Sequence, residues 1–541
     1  MRGSLKNDAA EKDLQSSPSH KETPVPAPFD GAFSGRPARF LLPSITDLIF
    51  ILLFFSLAFG VLAPRLLWDG DIGWHIRDGQ NILATHSVPR VDSFSATRTG
   101  HPWYAWEWLY DVMIGVIYNR MGLNGVVLFS AAVIATTLAS VFRLALIRGG
   151  KLLPTVGLFL VGTVASSIHF LARPHVVGWL MTILWLNILD ASYRKALIGQ
   201  FDRRLYWLPA LMLLWANLHG GFVLGFVLLG IYLAADGLHW SKCRTEQRTW
   251  AAKHARELTL AFLVSAVASL VNPYGYKLHS HVYQYLTDRF LMQHIDEFRA
   301  PNLHGLPTQA FLVLLLLALG AVASARAKMR WADALLILFA AGSGLFAARN
   351  IPVASMLLII VTAPLWSKSR EKSGASSRSQ FLDRINVTER HLRGHVWPIL
   401  ILFASLLICL NQGRLCGRRL MDSHFDERRF PVAAVDFLQQ SAIRMPVFSF
   451  DSWGGYLIYR LYPETKVFID DRHDFYGDAM LREYLKVLHV ESGWSEVLDR
   501  WNVNVIMLPS ACNLAKALRQ LNGWGISYED SVAIVFARRQ R

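Results

Sequence analysis

The sequence predicts an α-helical polytopic membrane protein with a small soluble α/β domain at its C-terminal end. Of the 541 residues, 53% are hydrophobic and only 18% are charged, whereas soluble proteins carry about 25% charged residues. Apolar runs of roughly 17–20 residues recur between residues 46 and 411, which is the length that a transmembrane helix needs. From about residue 412, apolar runs of strand length alternate with helical patterns. Such alternation is typical of an α/β domain.

Eleven runs are predicted to span the membrane. They cover residues 46–64, 124–142, 154–171, 175–193, 205–218, 220–238, 257–272, 309–325, 331–348, 351–366 and 395–411. The stretch 106–121 begins with two acids and three aromatic residues, a composition that suits a helix in the headgroup region better than one in hydrocarbon. If 106–121 does not cross, every Lys- and Arg-rich loop lies on one side, as the positive-inside rule requires. The N-terminus is then cytoplasmic and the C-terminus extracytoplasmic.

This topology divides the chain into three parts. Residues 1–43 are rich in Ser, Pro and Lys and are predicted to form a disordered cytoplasmic tail. Residues 44–411 form the membrane domain, with a first outer loop at 65–123 containing interfacial helices, a second outer loop at 272–308 and a flexible cytoplasmic linker at 367–394. Residues 412–541 form the extracytoplasmic domain, with strands predicted at 447–450, 466–470, 503–507 and 532–536.

Charge and cysteine content narrow the function classes. The formal net charge is +15, but many basic residues lie in short loops between apolar runs, so nucleic acid is not an expected partner. The four cysteines do not have metal-ligand spacing. Cys416 and Cys512 lie in the same predicted external domain, where they either pair or remain free thiols.

Two carboxylates and a histidine, Asp69, Asp71 and His75, lie where the first span meets water. Aspartate is costly in hydrocarbon, so this cluster is predicted at or just beyond the bilayer edge. A carboxylate there can take a proton from a hydroxyl or hold a divalent cation that neutralises phosphate. In an extended segment the two aspartates point to opposite faces and need not act together. The alternative role is N-capping of the helix that begins near Gly73.

Other polar groups between spans fall on the same outer face. They are Arg173-Pro174-His175, Asn217-Leu218-His219-Gly220-Gly221, Asn272-Pro273-Tyr274-Gly275-Tyr276 and Arg349-Asn350. An arginine between two apolar helices needs a partner or a ligand, and a lipid-linked phosphate suits Arg349. Arg173 can hold phosphate bidentately or extend to lipid headgroups. His219 and the segment 272–276 can equally be structured turns.

With these residues assembled, the chain resembles the glycosyltransferases of the C-type fold (GT-C), polytopic enzymes that use polyprenyl-phosphate-linked sugars. It is most similar to an uncharacterised bacterial group of that fold, which implies the bacterial cytoplasmic (inner) membrane. The matching segments are Asp71-x-x-Trp74-His75-x-Arg77-x-Gly79, Pro89-x-x-Asp92-x-Phe94-Ser95-x-Thr97, Gly100-x-Pro102-Trp103, Trp106-Glu107-Trp108-Leu109, Asn217-Leu218-His219-Gly220-Gly221, Asn272-Pro273-Tyr274-Gly275 and Trp453-Gly454-Gly455-Tyr456.

The resemblance implies a set of site residues. An aspartate of the first outer loop is the usual catalytic base of the fold family; Asp69 and Asp71 both match by position, and Asp71 opens the better-matching segment. Glu107 is the candidate second acid. The candidates for binding the donor phosphate are Arg349, Arg173 and His175. The candidate substrate-binding residues are His75, Trp74, His219, Asn272 and Tyr274.

The predicted function is transfer of a hexosyl or pentosyl group, with inversion, from a polyprenyl-phosphate donor to an extracytoplasmic acceptor that is a glycan, lipid or protein. Besides the lipid bilayer, donor and acceptor are thus the expected partners. No cofactor is required by the sequence, although a divalent cation is compatible with it. Two alternatives remain: a lipid or glycan transporter or flippase, and a non-catalytic envelope-assembly protein on the same fold. Few ionisable residues lie in the middle of spans, where transporters place their sites, which disfavours transport.

Overall fold

The computed structural model describes residues 40–242, 245–325, 329–369, 377–392, 394–441 and 443–539. Most of the predicted tail, residues 1–39, lies outside this part of the chain. The N-terminal portion is helical and the C-terminal portion contains helices and a small sheet. This division agrees with the predicted fold class.

The helices of the predicted membrane domain follow the apolar runs. They are α1 Ile45–Ala58, α2 Ile72–Thr85, α3 Trp108–Ile147, α4 Leu152–Ser166, α5 His175–Ala196, α6 Leu208–Leu218, α7 Val223–Lys242, α8 Thr245–Ser269, α9 Tyr276–Thr287, α10 Arg289–His294, α11 Leu306–Ser324, α12 Trp331–Phe346, α13 Ile351–Ser369, α14 Ser377–His391 and α15 Val396–Leu410. The packed interior of this bundle continues into the C-terminal domain, since both contribute to one hydrophobic core.

Six helices in the described part of the chain are long and apolar enough to cross a membrane, and three shorter apolar helices accompany them. The six are Trp108–Ile147, Leu152–His169, His175–Ala196, Gly220–Lys242, Leu306–Ser324 and Ala348–Ser367; the shorter ones are Ile45–Ala58, Trp331–Phe346 and Val396–Leu410. The predicted spans 205–218 and 257–272 coincide with α6 and the end of α8. The total of eleven spans remains a prediction.

The long helix α3 is broken at Gly122. This glycine has φ 59° and ψ −155°, a backbone conformation that is not helical and that glycine adopts without a steric penalty. Residues 108–121 are therefore a separate helical segment from the apolar run that follows. This break is compatible with the prediction that 106–121 does not cross the membrane.

The C-terminal domain has an α/β arrangement. Its elements are the hairpin β1 Arg414–Leu415 and β2 Arg418–Arg419, then α16 Val432–Gln440, β3 Val447–Ser449, α17 Asp451–Leu461, α18 His473–Leu488, α19 Trp494–Arg500, β4 Val505–Pro509, α20 Asn513–Arg519, β5 Trp524–Glu529 and β6 Ala533–Arg538. The larger sheet has the strand order β3-β4-β6-β5, in which β3 and β4 are parallel and the other pairs antiparallel. Cys416 and Cys512 are free thiols.

One local prediction is wrong. The predicted strand 466–470 does not form, and Val467 makes only isolated bridges, one to Ser95 of the first outer loop and one to Val447. The predicted cytoplasmic linker 367–394 contains α14, while its residues 370–376 and 393 lie outside the described part of the chain. The Glu389 side chain of this helix accepts hydrogen bonds from the backbone N–H groups of Ile45 and Thr46 and so caps the first turn of α1.

The C-terminal domain is fixed to the first outer loop by close backbone contact and by a buried arginine. A Cβ atom added at Gly455 of α17 would lie 2.4 Å from the carbonyl oxygen of Gly70, so only glycine permits this approach. Arg472 is buried and pairs with Asp92 of the loop and with Asp470, each at 2.8 Å. These contacts place the start of α18 over Asp71.

Candidate functional site

A cavity of about 420 Å³ lies where the first outer loop, the ends of several helices and the C-terminal domain meet. Its lining falls into two sets. Polar residues that line it include Asp71, His75, Glu107, Arg173, His175, His219, Glu297, Arg349, Asp471 and Asp474. The apolar set includes Leu224, Val227, Leu286, Phe339, Phe346 and Val353. Of these apolar residues, Val227, Leu286 and Phe346 are also exposed on the surface, so the apolar side of the cavity opens outward.

Asp71 lines the cavity, whereas Asp69 does not. Asp71 stands at the start of α2 but makes no capping hydrogen bond with its side chain, so the capping alternative does not account for it. Its Oδ2 atom lies 2.7 Å from Nη2 of Arg173, and its carboxyl group also forms a side-chain hydrogen bond with Asp471 of the C-terminal domain. Burial raises the pKa of Asp71 to about 7, even though the Arg173 cation lowers it.

Arg173 joins three carboxylates. Its Nη1 atom lies 2.8 Å from Oδ2 of Asp69 and 3.1 Å from Oε1 of Glu297, in addition to the Asp71 contact. The segment between Asp69 and Asp71 turns and is not extended, so both side chains reach Arg173, although only Asp71 lines the cavity. Burial raises the pKa of Glu297, but Arg173 and the other basic groups around it, among them His169 and Arg349, together hold this pKa below its ordinary value.

Glu107 is located between two histidines, directly before α3. Its Oε2 atom lies 3.9 Å from Nε2 of His75, and its Oε1 atom lies 3.7 Å from Nε2 of His219. Burial raises the pKa of Glu107 to about 8 and lowers that of His219 to about 3. Burial thus favours the neutral forms of all three groups.

His75 belongs to a buried chain of polar groups behind the cavity. Its Nδ1 atom lies 2.5 Å from Oδ1 of Asp111 in α3, and burial holds the pKa of His75 well below its ordinary value. The contact depends on close packing of α2 and α3, since a Cβ atom at Gly79 would lie 1.9 Å from the carbonyl oxygen of Asp111. The indole ring of Trp74 lies against His75, with 3.6 Å between ring centroids, and also lines the cavity.

Arg349 reaches the cavity from the short 3₁₀ turn Ala348–Asn350 before α13. Its guanidinium lies over the ring of Phe298, 4.4 Å from the centroid. No carboxylate in the described part of the chain forms an ion pair with it. His175, another candidate for the donor phosphate, is already engaged, because its Nε2 atom lies 2.9 Å from the backbone oxygen of His169. Arg349 is thus the arginine of the cavity that is available to an anion.

Asn272 and Tyr274 are not brought into the cavity. The Asn272 side chain bonds the backbone of its own turn, accepting from Tyr274 N and donating to Ser269 O and Gly275 O. The Tyr274 hydroxyl donates to the oxygen of Pro89 and accepts from the N–H of Ala105. Both residues support the outer loops, as the alternative of a structured turn suggested.

Residues from the second outer loop and the C-terminal domain complete the cavity. Glu297, Asp471 and Asp474 are absent from the predicted site set although the structure places them in the lining. The sequence signal for the two aspartates was the acidic segment Ile469–Asp474 after an apolar run. Nothing in the sequence alone pairs that segment with Asp71 or Glu297 with Arg173, because each pair joins residues more than a hundred positions apart.

Carboxylates of both domains also cluster with the spacing of metal ligands. Asp69, Asp71 and Asp471 each offer one oxygen, and these atoms lie within 4.8 Å of one another. Asp451, Asp471 and His473 form a second such group. Oxygen-rich sets of this kind suit Mg²⁺ or Mn²⁺.

No protein-family model and no curated protein matches the sequence. Some solved structures, however, have a similar fold. The oligosaccharyltransferase of Archaeoglobus fulgidus in its apo form is 10% identical, with a TM-score of 0.52 over 92% of this chain and 74% of that one. The same protein tethered to an acceptor peptide with the NVT sequon gives equal values. ArnT from Cupriavidus metallidurans bound to undecaprenyl phosphate is 13% identical, with a TM-score of 0.48 over 91% of this chain and 97% of that one.

The likeness to the oligosaccharyltransferase confirms the predicted fold. The chain has the GT-C fold, with a polytopic helical domain and a C-terminal domain that contains a small sheet. Identity of 10% supports the fold alone, and one fold can carry different activities. The activity must therefore be argued from the cavity.

Proposed function

We propose that this protein is a membrane glycosyltransferase that moves a sugar from a polyprenyl-phosphate donor to an extracytoplasmic acceptor. The observation that carries the proposal is the two-part lining of the cavity. Arg349 and several helix starts surround a polar compartment, and apolar side chains lead from it to the exposed surface at Val227, Leu286 and Phe346. A phosphate with a sugar on one side and a long apolar chain on the other matches this arrangement.

The polar compartment suits an anion for two reasons. Helices α2, α5, α7, α13 and α18 begin beside it, with His175, Val223, Val353 and Asp474 from their first turns in the lining, and helix N-termini attract negative charge. Arg349 adds a cation that stacks on Phe298 and forms no ion pair with a carboxylate of the described residues. We assign the donor phosphate to Arg349, while Arg173 is engaged by Asp69, Asp71 and Glu297.

Asp71 is the proposed general base. It lines the cavity, Arg173 holds its Oδ2 atom in place, and Asp471 forms a side-chain hydrogen bond with its carboxyl group. In the proposed reaction the acceptor hydroxyl attacks the anomeric carbon from the side opposite the phosphate and gives its proton to Asp71. The bond from the anomeric carbon to the phosphate oxygen breaks with its electrons on that oxygen, so polyprenyl phosphate leaves and the configuration inverts.

A divalent cation would be held by Asp69, Asp71 and Asp471. When bound, such an ion neutralises phosphate charge. The Arg173 guanidinium already supplies one positive charge to Asp69 and Asp71. The cation would therefore add to this ion pair and join the membrane domain to the C-terminal domain.

The C-terminal domain is proposed to cover the site and to contact the acceptor. Asp471 and Asp474 at the start of α18 face the cavity. Asp474 is held by His281 of the second outer loop, with 2.9 Å between Oδ2 and Nε2. Carboxylates so fixed accept hydrogen bonds from hydroxyl groups, which a glycan, a lipid headgroup or a hydroxylated side chain would supply.

The test uses the purified protein in lipid nanodiscs with a panel of polyprenyl-phosphate sugars, following the release of polyprenyl phosphate. Loss of a general base lowers the rate by about 10²–10⁴-fold, and we expect this for Asp71→Asn. Asp69→Asn should retain a larger share of the rate. Asp296→Asn is the matched control, because Asp296 is exposed in the second outer loop.

The outcomes are distinct. Equal turnover of wild type and Asp71→Asn, with donor binding preserved, would move the base to another residue. Binding of donor without release by any variant, with every acceptor offered, would favour the non-catalytic assembly protein. Failure of every donor to bind would overturn the proposed function.

A further inference from the structure

Two arginines stack on one exposed tryptophan at the junction of the two domains. The guanidinium carbon of Arg65 lies 5.2 Å from the ring centroid of Trp68, and that of Arg429 lies 4.3 Å from it. Arg65 and Trp68 belong to the first outer loop, whereas Arg429 belongs to the C-terminal domain. None of these three residues lines the cavity, so the arginine–tryptophan cluster is a separate feature of the molecule.

The folded backbone on both sides holds the cluster together. The 3₁₀ turn Pro64–Leu67 follows α1, and side chains three residues apart lie on the same face of such a turn. Arg65 is therefore beside Trp68. In the C-terminal domain, Nε1 of Trp453 donates a hydrogen bond of 2.9 Å to the backbone oxygen of Arg429. The two cations are thus brought together by segments that the fold fixes independently.

The two cations have no internal counter-ion in the described part of the chain. No carboxylate there forms an ion pair with Arg65 or Arg429, and their contact is with the indole ring. Burial and the neighbouring charge of Arg429 lower the pKa of Arg65, as expected for two like charges placed close together. Arg173, by comparison, is paired with three carboxylates. The cluster therefore favours a bound anion.

Stacked guanidinium groups are well suited to phosphate. A guanidinium that lies over an aromatic ring keeps its N–H groups available for hydrogen bonds in its own plane. Such groups bind phosphate oxygens in pairs with charge-assisted hydrogen bonds. The Trp68 side chain is 37% exposed, so a ligand can reach the cluster from outside the protein.

The position of the cluster indicates that this phosphate belongs to a lipid. Arg65 directly follows the predicted first span at 46–64, and Val61 near the end of that span is 91% exposed. Tryptophan and arginine are typical of the headgroup region of a bilayer. An acyl chain can therefore lie against Val61 while the headgroup of the same lipid reaches the arginines.

We infer that Arg65, Trp68 and Arg429 bind the phosphate group of an anionic lipid in the leaflet that adjoins the C-terminal domain. The bound phosphate neutralises both cations and joins the C-terminal domain to the first outer loop. Because Trp68 directly precedes Asp69, which contacts Arg173, the lipid also steadies the entrance to the acidic site. This inference does not depend on the transferase function proposed above.

The test measures lipid binding to the purified protein in a zwitterionic detergent, with phosphatidylglycerol titrated and bound lipid counted by native mass spectrometry. Wild type should bind phosphatidylglycerol more tightly than phosphatidylcholine. Arg429→Gln should raise the Kd for phosphatidylglycerol roughly tenfold, because one hydrogen-bonding cation is lost. Arg428→Gln is the matched control, since Arg428 is the adjacent exposed arginine, and it should bind as wild type does.

A charge reversal gives a second, independent readout. In zwitterionic detergent alone, Arg429→Glu should raise the thermal denaturation midpoint, because repulsion of Arg65 is replaced by attraction. Phosphatidylglycerol should then raise the midpoint of wild type and leave that of Arg429→Glu unchanged. A lower midpoint for Arg429→Glu in the absence of anionic lipid would contradict the repulsion on which the inference rests.

The remaining outcomes separate a lipid from other ligands. Glycerophosphoglycerol, the same headgroup without acyl chains, should compete only weakly; binding as tight as that of phosphatidylglycerol would identify a soluble anion and overturn the lipid assignment. Equal affinity of wild type for phosphatidylglycerol and phosphatidylcholine would overturn the preference for an anion. Equal binding of phosphatidylglycerol by wild type and Arg429→Gln would remove the cluster as its site.

Discussion

Nη2 of Arg173 lies 2.7 Å from Oδ2 of Asp71, and the same guanidinium contacts Asp69 and Glu297. Asp71 is buried, while the Arg173 side chain is about a quarter exposed, at 26%. The arginine is thus an internal counter-ion that keeps three acids together at the edge of the cavity. It is less free than Arg349 to hold an incoming phosphate.

Arg173→Ala should destabilise the protein and abolish release of polyprenyl phosphate. Removing one partner of a buried ion pair costs about 3–5 kcal/mol; the partial exposure of Arg173 places the expected loss toward the lower end. Thermal denaturation in detergent measures it. Arg299→Ala is the matched control, since Arg299 pairs with Asp296 on the surface, and its denaturation midpoint should stay near that of wild type.

Arg349→Ala should weaken binding of a polyprenyl phosphodiester without unfolding the protein. A hydrogen bond to a charged group contributes about 1.5–3 kcal/mol, which corresponds to a roughly 10- to 100-fold rise in Kd. Arg349→Lys should retain part of the affinity. If Arg349→Ala binds as wild type does and Arg173→Lys does not, the phosphate belongs to Arg173.

Periodicity and composition predicted the fold class because long apolar runs and the later strand pattern are local features. The break before the apolar part of α3 and the helix that begins near Asp71 could be predicted for the same reason, because both depend on local sequence. The segment predicted as a strand at 466–470 makes only isolated bridges in the structure. Val467 pairs there with Ser95, and no local sequence pattern indicates that partner.

The sequence predicts only part of the candidate site, because some of its residues stand out locally and others are brought in by packing. Asp71, Glu107, His75 and Arg349 could be named because polar residues between apolar runs are conspicuous. Their partners Asp111, Glu297 and Asp471 lie in segments whose proximity depends on the packing of α2 on α3 and of the C-terminal domain on the outer loop. Asn272 and Tyr274 are equally conspicuous in the sequence, yet their side chains form hydrogen bonds within the outer loops and do not line the cavity.

Gly455→Ala should separate the C-terminal domain from the first outer loop. The new Cβ atom would meet the Gly70 backbone at 2.4 Å, and overpacking of this kind costs about 1–3 kcal/mol. Because Gly70 precedes Asp71, release of polyprenyl phosphate should fall as well. Gly523→Ala in the same domain is the control, since no atom lies within 4 Å of its added Cβ. Equal effects of both substitutions would contradict the role given to the contact.

Removal of divalent cations should lower the release rate, and added Mn²⁺ or Mg²⁺ should restore it. Asp471→Asn should weaken Mn²⁺ binding, measured by electron paramagnetic resonance, because it removes one of three oxygen ligands. Asp478→Asn, at an acid elsewhere in α18, is the control. Full activity after chelation, with no Mn²⁺ bound, would show that Arg173 alone neutralises the acids.

Cys416 reports on the predicted orientation of the membrane domain. It is exposed in the hairpin that follows α15, whereas Cys409 is buried. With eleven spans and a cytoplasmic N-terminus, a membrane-impermeant maleimide should label Cys416 from outside in spheroplasts, because a thiol in an external hairpin is accessible before lysis. Cys416→Ser should lose this labelling and Cys512→Ser should retain it. Labelling of Cys416 only after lysis would place the C-terminal domain in the cytoplasm. Residues 106–121 would then be a membrane span, or one of the eleven predicted spans would not cross.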